Sequence, residues 1–156
     1  MSDRSAPPES LDVAIYPVID CLIEGQRGLR TIGESIHDPL LKQYFLEESE
    51  ARAKYRNSLE SILHHHAVHD IEEGALSAAI NRVWGKLKSK LDGRDQSLLA
   101  IAEHDQLAAT RAYAQALEQD LPFPVRQTLL AQAACIELFH EYVHAVRKIN
   151  KAPAGN

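Results

Sequence analysis

Two short breaks, His37-Asp38-Pro39 and the run from Asp120 to Pro124, divide stretches in which apolar residues recur every three or four positions. That spacing is the helical period, and a break this short between two helices leaves room only for an antiparallel hairpin. Before the first break, Ile15, Val18, Ile19, Leu22, Leu29, Ile32 and Ile36 share one face. Pro17 lies inside that run, so the first helix is expected to begin near it or to kink there. Asp38 reads as the N-cap of the second helix, with Pro39 in its first turn. The second helix follows Leu41, Phe45, Glu48, Arg52, Tyr55, Leu59 and Ile62 and runs out in the stretch His64 to His69. A small helix is expected from Ala75 to Leu91, stopped by Asp92-Gly93, with Asp95 as the cap of the next. That next helix carries Leu99, Ala102, Gln106, Ala109, Tyr113 and Ala116; the last carries Leu129, Ala133, Ile136, His140 and Val143. Two helical hairpins joined by a long connection that holds a small helix make an all-α, up-down four-helix bundle.

The chain's 156 residues suffice for one domain with a real core. Residues 1-10 read as a flexible start, 11-150 as the single bundle domain and 151-156 as a loose tail. The net charge of -5 and the absence of a basic stripe argue against a nucleic-acid partner. The opening MSDRSAPPES is polar and bears prolines, unlike a signal peptide or an anchor, and no apolar run is long enough to span a bilayer. Cys21 and Cys135 do not look like a disulfide framework. A cytoplasmic protein without a membrane partner is expected.

Every long stripe is interrupted by polar residues near mid-helix. Gln26 interrupts the first, Glu48 and Arg52 the second, Gln106 with Glu103 on its flank the next, and His140 with Glu137 a turn earlier the last. Counted from the hairpin turns at 1.5 Å per residue, these positions fall within about one helical turn of a common height. They can therefore form one polar layer across the bundle. Such layers hold di-iron or di-manganese centres when a Glu on each of two helices meets a Glu-x-x-His on each of the other two. Glu137-Leu138-Phe139-His140 is one complete Glu-x-x-His. The candidate core metal ligands are Glu48, Glu103, Glu137 and His140, with iron or manganese as the metal. The other helices do not complete the set: Arg52 brings a positive charge, and Gln26 and Gln106 stand where carboxylates would be wanted. The alternative is a hydrogen-bonded, charge-paired layer that sets register. His65 and His69, four apart, are a second candidate metal pair, at the surface. Histidines at a helix C-terminus also gain from the dipole while remaining solvated.

Four stretches, EGQRGLRTIGESIHDPLLKQYF, EARAKYRNSLESI, GALSAAINRVWGKLKSKLDGRD and RAYAQALEQDLPFPVRQTLLAQ, with His140 after them, carry a family likeness. Over residues 18-148 the chain resembles a bacterial family of ferritin-like, rubrerythrin-related four-helix bundles classed as a domain of unknown function. The resemblance implies a ferritin-like bundle that forms homo-oligomers, with a stress-related role as a family-level expectation. Where the family pattern has a Gly-Glu-Asp run, this chain has Asp105-Gln106-Leu107, so Gln106 takes the place of a carboxylate. Two functions are therefore expected to compete. One is a non-enzymatic bundle protein with a structural or vestigial polar layer. The other is a metal-dependent oxidase or iron-handling protein using Glu48, Glu103, Glu137 and His140.

Overall fold

The computed structural model describes residues 8–65 and 93–151. Four long helices account for nearly all of them: α1 (Pro8–Ser35), α2 (Pro39–His65), α3 (Gly93–Leu117) and α4 (Phe123–Lys151). They pack as an all-α four-helix bundle. The small helix expected from Ala75 to Leu91, Trp84 and the end of the histidine run lie outside the described residues. None of the described helices is long and apolar enough to cross a membrane.

α1 starts well before Pro17 and runs through it. The backbone bond that Pro17 cannot make would have run to Val13, and Val13, Tyr16 and Pro17 are all exposed. The break in the ladder therefore faces solvent, where water satisfies the orphaned carbonyl.

α1 packs closely on α2 and on α3, and α3 on α4. Neighbours run antiparallel: the Cys21 thiol meets the Ala108 carbonyl at 3.7 Å, while Asp95, at the start of α3, meets the turn at the end of α1. α3 buries mostly small side chains, among them Ala102, Ala109, Ala112 and Ala116. α2 and α4 instead face each other through bulky rings. Tyr44 and Phe45 meet Phe139, each with ring centroids 5.3 Å apart, and Tyr44 meets Tyr142 at 4.5 Å. Burying each such ring is worth about 2 to 3 kcal/mol.

Both turns are closed by a cation that reaches back to carbonyls at the end of the preceding helix, which lack helical partners. The Lys42 ammonium donates to the carbonyls of Gly33 at 3.1 Å and Glu34 at 3.0 Å. The Arg126 guanidinium donates to those of Leu117 at 2.8 Å and Gln119 at 2.7 Å. Asp38 is the N-cap of α2, its carboxylate accepting the Leu41 N–H at 2.9 Å. Asp95, expected as the cap of α3, also reaches across to the first turn. It lies inside α3 and accepts the backbone N–H groups of His37 at 2.8 Å and Asp38 at 2.9 Å, pinning α3 to the first turn.

Candidate functional site: an arginine-centred polar layer

The buried apolar residues form two clusters. One contains Leu22, Tyr55, Ala109 and Ile136, the other Leu29, Phe45, Ala102 and Phe139. Between them lies the polar layer. Its centre is Arg52, whose side chain is fully buried. The Nε donates to Glu48 Oε2 at 2.9 Å, one turn back on α2. Nη2 donates across the bundle to Gln106 Oε1 at 2.5 Å. The guanidinium also lies 5.6 Å from the Phe139 ring centroid, within cation–π range. A Cβ built on Gly25 would stand 3.1 Å from Arg52 Nη1, so the missing side chain at Gly25 is what admits that nitrogen beside α1.

This geometry explains the amide on the α3 stripe. Gln106 is the acceptor for the second face of the guanidinium, and it adds no charge to a pair that is already balanced. Burial pushes the Glu48 carboxyl above its ordinary range, and the charge and hydrogen bond of Arg52 pull it only part of the way back. Glu48 Oε1 and Arg52 Nη1 are buried and have no hydrogen-bond partner among the described residues.

A turn away, a second set of bonds crosses the bundle. The Tyr113 hydroxyl donates to Gln132 Oε1 at 2.7 Å, and Gln132 Nε2 donates to the Tyr55 carbonyl at 3.3 Å. The Tyr55 hydroxyl in turn shares a hydrogen bond with the Cys135 thiol. Burial pushes the Tyr55 and Tyr113 hydroxyls far above the ordinary tyrosine range, so they act here as neutral donors.

The four candidate core ligands are not gathered into one set. Glu48 is paired with Arg52. Glu103 accepts from Arg147 and His144 on α4, near the surface. Glu137 is exposed and His140 half-buried, because the buried face of α4 runs through Gln132, Cys135, Ile136, Phe139, Tyr142, Val143 and Val146. That face is turned by one position from the expected stripe, since burying Phe139 and Tyr142 removes more apolar surface than burying His140. Gln26 contributes its backbone carbonyl, which accepts the Ser49 hydroxyl at 2.8 Å. Among the described residues, no three His, Cys, Asp or Glu side chains stand in an arrangement that could hold a metal. The His65 side chain and His69 lie outside the described residues. The sequence reading missed Gln132, Phe139 and Gly25. Gln132, three residues after Leu129, and Phe139, three after Ile136, left a periodic trace, and Gly25 left none.

Burial would raise the Glu103 carboxyl, but hydrogen bonds and charge from Arg147 and His144 outweigh it and hold it below the ordinary 4.5. Its pairing therefore contributes stability that is complete above that value and is lost as pH falls through the lower folded-state value. Glu48, raised by burial, contributes in the opposite sense: its stability share is lost as pH rises. Glu103→Gln should therefore flatten the acid limb of a plot of thermal midpoint against pH. A difference between variant and parent that stays constant down to strong acid would contradict this.

No curated protein matches the chain. A family model described as Domain of unknown function (DUF2383) matches residues 14–119, which span most of α1, all of α2 and all of α3 and include Glu48, Arg52 and Gln106. With about two thirds of its length matched, the chain belongs to the family described as Domain of unknown function (DUF2383).

Proposed function

We propose that this chain is a non-enzymatic, ferritin-like bundle protein, akin to the rubrerythrin type, that self-associates and whose mid-bundle layer is structural. One observation carries this reading: a fully buried guanidinium stands in the layer where a carboxylate-bridged metal pair would need anionic oxygens. Arg52 takes the Glu48 carboxylate, and the partner on α3 is an uncharged amide. The donor set therefore does not fit a di-metal centre. Self-association is supported by exposed apolar side chains, Val13 and Tyr16 on α1 and Phe123 and Leu130 on α4.

The rival, an oxidase or iron-handling protein, is favoured by two buried ligand atoms that lack partners, Glu48 Oε1 and His140 Nδ1. It requires Arg52 to leave Glu48, and Glu103 as well as Glu137 to turn inward. Elemental analysis of untagged protein purified without chelators separates the two. The structural reading expects no stoichiometric metal, even after anaerobic loading with ferrous iron. Stoichiometric iron or manganese that disappears in His140→Ala but persists in His65→Ala would overturn it. Loss only in His65→Ala would place the metal at the surface histidines.

A further inference from the structure

The layer borders a cleft. A cleft of about 360 Å³ lies between α1 and α3, and Arg52 and Gln106 form part of its wall. Its other buried wall residues, Leu29, Ile32, Ala102 and Ala109, are apolar. Two polar groups of the layer therefore meet an apolar pocket of ligand-binding size. Arg52 Nη1 is buried, unpartnered and beside Gly25, itself a lining residue. Gln106 commits its Oε1 to Arg52, which leaves its amide N–H groups as what it can offer a ligand. Both are donors, and the guanidinium is charged.

We infer that the cleft between α1 and α3 binds a small monocarboxylate with an apolar tail, its carboxylate accepting from the Gln106 amide and, once the wall at Gly25 shifts, from Arg52 Nη1. The apolar wall suits the tail. The buried carboxylate would replace the missing partner of Nη1 with a charge-assisted hydrogen bond, stronger than a neutral one. At the mouth, exposed Glu24 and Asp105 offset exposed Arg111, which disfavours polyanions such as nucleotides. The inference shares with the structural reading only the placement of Arg52, and metal loading tests that reading separately.

Gly28 supplies the test. It lines the cleft, and a Cβ added there meets nothing within 4 Å, so Gly28→Leu fills the cleft while improving helix propensity. Isothermal titration calorimetry with sodium hexanoate is expected to give one site per chain, weakened about tenfold or more in Gly28→Leu. Acetate, which lacks the tail, and hexylammonium, which has the wrong charge, are expected to bind far more weakly than hexanoate. Thermal melts of Gly28→Leu check that it folds. Equal binding of hexanoate by parent and Gly28→Leu would overturn the inference. So would hexylammonium or hexanol binding as well as hexanoate. Absence of hexanoate binding to the parent would leave Nη1 to a buried water and overturn it as well.

Discussion

Arg52→Ala should destabilise the bundle by about 3 to 5 kcal/mol, the usual consequence of removing one partner from a buried ion pair. Glu48 would keep its burial and lose the Arg52 donor, and Gln106 would lose the donor to its Oε1. For a domain of this size the thermal midpoint should fall by roughly 10 °C. Scanning calorimetry or circular dichroism would measure it. The double variant Glu48→Leu/Arg52→Met is expected to recover most of the loss, because well-packed apolar replacements remove both desolvation penalties together. That recovery separates a structural pair from one retained for a ligand, since the double variant should fold well yet bind no hexanoate. A single variant as stable as the parent would mean that the guanidinium is solvated rather than sealed in the core.

The second large effect is expected at Asp95. Its carboxylate holds two backbone N–H groups at once, from His37 and Asp38, in the turn between α1 and α2. Hydrogen bonds to a charged group are worth about 1.5 to 3 kcal/mol each, so Asp95→Ala should cost about 3 kcal/mol or more. Asp95→Asn keeps one good acceptor and should cost roughly half as much. Amide hydrogen exchange gives the local readout, with faster exchange at His37 and Asp38 in Asp95→Ala. If exchange at those amides were unchanged, the carboxylate could not be what pins the turn. The prediction is selective because Asp38 caps α2 independently, through the Leu41 N–H.

Much of this fold is written locally. Every residue of the stripes of α1, α2 and α3 is buried, from Ile15 to Ile36, Leu41 to Ile62 and Leu99 to Ala116. A 3.6-residue period in apolar side chains is a local property, and short breaks between helices admit few geometries. The polar residues at mid-stripe were legible for the same reason. Glu48, Arg52 and Gln106 interrupt their stripes, and all three are buried. On α4 the same reasoning slipped by one position. Gln132, Cys135, Phe139 and Tyr142 lie beside Leu129, Ile136 and Val143, so two overlapping stripes compete. The aromatic rings of α2 decided between them.

The sequence by itself determined four things: the four long helices, the two hairpin turns, the N-cap at Asp38, and the presence of charge and amide groups in the core. Each depends on residues within a few positions of one another. Pairing across the bundle was decided only by the tertiary structure. It set Arg52 against Gln106, 54 residues away, and Asp95 against His37, 58 residues away. It also turned Glu137 outward and set the cleft of Gly25 and Gly28 beside Arg52. Hydrogen-bond partners depend on the relative rotation and height of whole helices, which the summed packing of many side chains fixes and no short stretch of sequence encodes.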